Sequence, residues 1–148
     1  MEAYWKAKLE LFGWPGLQAA VVNLDDPKGE TLAKVLTAGA LALWTFSCKG
    51  AARLQASVLG YDDQGLRFTV TEQSETHILR THLIGQYNVS NLLGVIGAMR
   101  ALGISLAQAV QACSALLPVP GRMDCIAQPG QPLVAVDYAH TPDALDKA

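Results

Sequence analysis

The rhythm of hydrophobic and polar positions changes along the chain, and each change predicts an element. "MEAYWKAKLELF" spaces Tyr4, Ala7, Leu9 and Leu11 for an amphipathic helix over residues 2–12, stopped by Gly13 and Pro15. "LQAAVVN" is an uninterrupted apolar run and reads as a buried strand; Asp25, Asp26 and Pro27 then form a turn. "GETLAKVLTAG" follows as a helix and "ALALWTF" as a second apolar strand. Strand, helix and strand in close succession make a parallel βαβ unit.

From residue 52, "ARLQASVLGYDDQGLRFTVTEQSETHILRTHLIG" alternates apolar and polar positions around a D-D-Q-G turn, which predicts an antiparallel hairpin with a third strand. Helical spacing returns over Tyr87–Leu102 and again over Leu106–Leu116, with Ser105 as its cap. "LLPVPGRMD" is a stiff connector. After it, "MDCIAQPGQPLVAVDYAH" reads as two short strands around a P-G turn, the second ending at Asp137. The pattern divides the chain into residues 1–116 and 117–148. It is an α/β pattern, with neither terminus at an obvious domain end, so a piece of a longer protein is expected.

Composition narrows the class. A chain of 148 residues with net charge -2 and 51% hydrophobic residues offers no electrostatic case for nucleic acid or an anionic membrane. The longest apolar stretch falls well short of the roughly 20 residues of a membrane span, and no signal-peptide pattern opens the chain. A cytoplasmic location is expected. Cys48, Cys113 and Cys125 stand far apart without metal-ligand spacing and read as reduced core thiols.

Four constellations carry candidate chemistry. "GQYNVSNLLGVIGAMRALG" is a greasy helix that opens on two carboxamides, Asn88 and Asn91. A cap and a neighbour is the plainer reading of the pair; two carboxamides can also read the edge of a base. In "VDYAHTPDAL", Asp137 ends an apolar strand with His140 just beyond; such a carboxylate holds ribose hydroxyls or caps its own turn. Arg122 follows a Pro-Gly bend, from which a guanidinium can reach phosphate, with an ordinary surface arginine as the plainer reading. Lys8 stands one turn after Tyr4, where a lysine either snorkels to water or, partly desolvated, reacts with carbon dioxide. Glu2, Asp25 and Asp26 are weaker candidates for magnesium, with solvated carboxylates as the plainer reading.

Together these segments resemble the Mur ligases, ATP-dependent amide-bond-forming enzymes of peptidoglycan precursor synthesis. "YWKAK" is similar to the family's Y-x-x-A-K, "NLDDP" to its N-x-D-D, "GQYNVSNLLG" to its G-x-x-N-x-x-N, and "PVPGRMD" with "VDYAHTPDAL" to its interdomain arginine and nucleotide-binding aspartate. D-Y-A-H-T-P resembles the tripeptide-synthetase branch more than the folylpolyglutamate synthetases of the same superfamily, the alternative ligase reading.

The resemblance implies the C-terminal half of a central ATP-binding domain over residues 1–116 and the start of a Rossmann-like C-terminal ligase domain over 117–148. It implies ATP and Mg2+ as cofactors, with Lys8 carbamylated to bind the metal beside the γ-phosphate. It implies Asn88 and Asn91 at the adenine, Arg122 at the phosphates, Asp137 at the ribose and His140 near the nucleotide, with Lys8 and Arg122 catalytic. The implied reaction phosphorylates the terminal carboxylate of UDP-MurNAc-L-Ala-D-Glu and lets the amine of meso-diaminopimelate or L-lysine displace the phosphate. A monomeric parent is expected.

The chain departs from the family's pattern in lacking a G-x-x-G-K-[ST] loop. Residues 1–148 alone are therefore expected to be inactive. A free-standing nucleotide-binding module that lost catalysis is the reading from another class.

Overall fold

Glu2–Glu10 forms the first helix, α1, and a short 3-10 turn over Leu11–Gly13 ends it, in a computed structural model that describes residues 2–62, 65–126, 130–132, 134–142 and 145. The helix is where expected, but its inward face is not. Trp5, Leu9 and Phe12, at i, i+4 and i+7, pack against the core, whereas Tyr4 and Leu11 are 64% and 47% exposed. An aromatic at position 5 outweighs the sparser stripe through Tyr4 and Ala7, because it has more apolar area to remove from water.

The βαβ unit follows as β1 (Ala19–Asn23), α2 (Pro27–Thr37) and β2 (Ala42–Ser47), with β1 and β2 paired in parallel. The expected turn holds at Asp25 and Asp26, and Pro27 already opens α2. Asp26 caps the helix by accepting from the Lys28 N–H at 2.7 Å, and Pro27 fills the first helical position, where its missing N–H costs nothing. Gly29 lets this helix lie close to β1: a Cβ there would fall 1.8 Å from the Asn23 carbonyl oxygen.

The alternating stretch forms β3 (Leu54–Asp62), β4 (Gly65–Glu72) and β5 (Glu75–Thr81), an antiparallel meander. It does not stand apart from the parallel pair. β3 runs parallel to β2 through Phe46 opposite Leu54 and Ser47 opposite Gln55, so one five-stranded sheet runs β1-β2-β3-β4-β5. Strand β1 is an edge and β2 is interior.

Helices α3 (Tyr87–Ala101) and α4 (Leu106–Ser114) cover one face. The core lies between them and the sheet, where Leu54, Leu66, Phe68, Leu79, Leu93, Ile96 and Leu106 are almost fully buried. Ser105 caps α4 as expected, within a reciprocal capping box with Gln108. Beside this core, among the described residues, one charged side chain is buried. Glu72, 6% exposed, accepts from Arg53 at 3.3 Å and from Arg100 at 2.6 Å, and the Arg53 guanidinium lies 3.2 Å from the Trp44 ring centre.

After α4 the chain forms a separate two-stranded antiparallel sheet, β6 (Asp124–Ile126) with β7 (Val134–Val136). Asp63 and Gln64 of the D-D-Q-G turn, Pro129 of the P-G turn, the side chain of Cys125 and most of the expected final helix start lie outside the described residues. Cys113 is buried and Cys48 half-buried, both free thiols. Among the described residues, no helix is long and apolar enough to cross a membrane.

Candidate nucleotide-binding cleft

Helix α3 begins without a side-chain cap: Gln86 occupies the cap position and makes no such bond. Neither amide of the opening motif is the cap. Asn88 turns its amide back to donate to the Ile84 carbonyl at 2.7 Å, and its own oxygen accepts from the Asn91 amide at 3.3 Å. The two are thus chained along one side of the first helical turns, and Asn91 remains exposed.

That side faces a second wall. Val119-Pro120-Gly121-Arg122 closes a tight turn through the Arg122 N–H to the Val119 carbonyl at 2.9 Å. The turn is tied to the end of β7 by the Tyr138 N–H, which donates to the Gly121 carbonyl at 2.9 Å. Asp137 reinforces the tie, accepting from the Met123 N–H at 2.9 Å with one oxygen and from the Ala139 N–H at 2.7 Å with the other. So Asp137 does shape its own turn. Each carboxylate oxygen still has a second lone pair for a hydroxyl. His140 donates from Nδ1 to the Tyr138 carbonyl at 2.8 Å, which leaves Nε2 of the neutral ring as an acceptor.

Between the two walls lies an open cleft of about 650 Å³. Its lining brings together Asn88, Asn91, Arg122, Asp137 and His140. It also includes Leu83, Leu116, Leu117 and the two tyrosines, Tyr87 and Tyr138, which motif reading missed. The aromatic neighbours of the motif residues, one beside Asn88 and one beside Asp137, were the available signal. Amides, a guanidinium, a carboxylate and an apolar floor together suit a ligand that is aromatic at one end and anionic at the other.

The first 99 residues match the sequence profile described as the Mur ligase middle domain. The chain belongs to the Mur ligase family. It is 61% identical over its whole length to a UDP-N-acetylmuramoyl-L-alanyl-D-glutamate--2,6-diaminopimelate ligase of Acidovorax sp. (strain JS42), of which it spans 30%. A solved structure of a ligase of the same name superposes with a TM-score of 0.81 and 35% identity, covering 97% of this chain and 30% of that one. A MurF ligase of Thermotoga maritima, solved in complex with ADP, shares the fold at a TM-score of 0.69 and 17% identity, over 88% of this chain and 30% of its own.

The remaining motif residues of this Mur ligase segment lie elsewhere. Lys8 does not line the cleft; it is exposed on α1, its ammonium 4.6 Å from the Tyr4 ring centre. The N-L-D-D motif is a joint between elements. Asn23 donates to the Ser90 hydroxyl at 3.2 Å, Asp26 caps α2, and Asp25 accepts from the Ser47 hydroxyl at 2.5 Å and the Cys48 N–H at 2.8 Å. Burial opposes ionisation of Asp25, but the hydrogen bonds from Ser47, Cys48 and Lys49 and the Lys49 charge outweigh it and hold the carboxyl below its usual range. Beside it, desolvation and the Asp25 charge push the Cys48 thiol up to about 11. Glu2, Asp25 and Asp26 do not form a magnesium set: among the described residues no group of three His, Cys, Asp or Glu side chains could hold a metal.

Proposed function

We propose that the cleft between α3 and the end of β7 binds the adenine nucleotide of a tripeptide-forming ligase. That ligase would join diaminopimelate to UDP-MurNAc-L-Ala-D-Glu in peptidoglycan synthesis. The observation that carries this reading is the convergence of Asn88, Asn91, Arg122, Asp137 and His140 on one cleft from two separate sheets' worth of structure. The diamino acid is taken from the name shared by the relatives. The ADP in the Thermotoga ligase supports an adenine nucleotide.

In this reading the two amides face the base edge, where a carboxamide both donates and accepts. Leu83, Leu116 and Leu117 exclude water from the base. Asp137 accepts a ribose hydroxyl with its free lone pairs, and Arg122 offsets phosphate charge. When bound, ATP supplies the phosphoryl group that activates the substrate carboxylate for attack by an amine. Residues 1–116 belong to the central ATP-binding domain and 117–148 open the C-terminal ligase domain, so the cleft lies at their junction. The nucleotide-linked substrate fits a cytoplasmic enzyme.

Lys8 is assigned the carbamate. The assignment follows the motif: the Lys8 side chain is exposed and can be reached by carbon dioxide, which adds to the uncharged amine, while among the described residues no group of three His, Cys, Asp or Glu side chains could hold a metal.

Calorimetric titration of ADP into the full-length ligase carrying this segment tests the reading. Asn91→Ala and Asp137→Ala are each expected to weaken ADP by about fivefold or more. ADP affinity unchanged in both variants would sink it.

A further inference from the structure

The bend that presents Arg122 is held by a residue that no motif role covers. Val119–Arg122 has the features of a type II turn: Pro120 at the second position, Gly121 at the third with φ +75, and the closing bond to Val119. Only a residue tolerant of positive φ fits the third position. Space imposes the same choice. A Cβ on Gly121 would come within 2.4 Å of Tyr138 Cε2 and 2.7 Å of Cδ2, so the tyrosine ring is seated on the glycine backbone. The backbone of the same tyrosine grips the same glycine, through its N–H to the Gly121 carbonyl.

The partition of exposure is informative. Gly121 is buried, whereas Arg122 next to it is exposed and lines the cleft. Tyr138 is 68% exposed, so what it does cover is the turn. Take the ring away and the bend keeps two hydrogen bonds but loses its lid, and the side chain that leaves the bend next is Arg122.

We infer that Tyr138 is a positioning residue which clamps the Pro120–Gly121 bend and thereby aims Arg122 at the phosphate-bearing part of the ligand. The inference rests on the nucleotide reading of the cleft. It makes Tyr138 act on the anionic end of the ligand, through another residue. A ring acting as a stacking platform would act on the base instead.

Adenosine and ADP separate these roles, because adenosine lacks the phosphates. Titrations on the full-length ligase would compare wild type, Tyr138→Phe, Tyr138→Ala, Arg122→Ala and the double variant. Tyr138→Phe is expected to bind both ligands as wild type does, since the clamp uses the ring and not the hydroxyl. Tyr138→Ala is expected to weaken ADP about tenfold and leave adenosine unchanged. In the Arg122→Ala background the same change should cost ADP less than about twofold, because the two residues share one route. Equal loss of adenosine and ADP would overturn the inference in favour of stacking. Equal loss of ADP in both arginine backgrounds would overturn it as well. Wild type that binds neither ligand would refute the nucleotide reading, and this inference with it. Should Tyr138→Ala fail to fold, Tyr138→Leu, which removes the flat ring but keeps an apolar side chain beside Gly121, is expected to give the same ADP-selective loss.

Discussion

The Asp137 carboxylate accepts the Met123 N–H at 2.9 Å, and this bond ties the start of β6 to the end of β7 beside the cleft. One residue therefore serves the shape of the site and, in the proposed function, its ligand. Asp137→Ala is expected to weaken ADP by about 1–3 kcal/mol, the range for losing a charged hydrogen-bonding partner. Asp137→Asn, which retains an acceptor, should lose less. Calorimetry on the full-length ligase measures both; equal, negligible losses would leave Asp137 with its structural bond alone.

Lys8→Ala in the same ligase is expected to abolish ligation, and excess bicarbonate should not restore it, since no amine remains to carry a carbamate. Phosphate release assayed with the UDP-linked substrate and diaminopimelate provides the measurement. Turnover near wild type would rule out the carbamate role.

Buried Glu72 accepts from both Arg53 and Arg100. Glu72→Ala leaves both guanidinium groups short of a partner. A fully buried pair broken this way costs about 3–5 kcal/mol; the arginines are 38% and 22% exposed, which reduces the expected loss to about 2–3 kcal/mol. Urea unfolding of the full-length ligase, followed by fluorescence of Trp44 against Trp44→Phe, reads it. A midpoint within error of wild type would show that water replaces the carboxylate without cost.

The Cys48 thiol, raised from 9.0 to about 11, stays protonated in the folded protein where an unfolded thiol ionises. Its contribution to stability is complete below pH 9 and is lost as the pH rises through about 11. Alkylation of Cys48 by iodoacetamide at pH 8 is accordingly expected to be slow against a free thiol, and to quicken in Asp25→Asn, which removes the neighbouring negative charge. Mass spectrometry of the labelled site gives the rate. An unchanged rate in Asp25→Asn would remove Asp25 as a cause.

Much of this architecture was legible beforehand because it is periodic. The apolar runs of β1 and β2 reflect two covered faces, α3 on one and α2 on the other, whereas the alternation of β3 to β5 and the helical spacing of α3 and α4 each reflect one. The face of α1 was not legible, since Tyr4 and Trp5 are both large aromatics and only tertiary packing decides which turns inward. Nor was the junction of β2 with β3: parallel pairing over Phe46–Leu54 and Ser47–Gln55 is too short to leave a pattern. That Asn88, Asn91, Arg122, Asp137 and His140 would lie near one another was an expectation from the resemblance to the Mur ligases, since residue type and spacing alone left each with a plainer reading. The seat of the Tyr138 ring on Gly121 was hidden, because it depends on two strands meeting and not on anything local to either residue.

That short junction between β2 and β3 gives the sheet two clocks. Strands β3, β4 and β5 are joined by tight turns, with Asp62 opposite Gly65 and Glu72 opposite Glu75, so each pairing closes only a small loop. Strands β1 and β2 must instead wait for an intervening helix to form and swing back over them. Local pairings precede distant ones in the race to the native state, and the meander is therefore the platform on which the crossover lands. Until the crossover closes, β1 is an apolar strand without its β2 partner, open to pairing with a wrong neighbour.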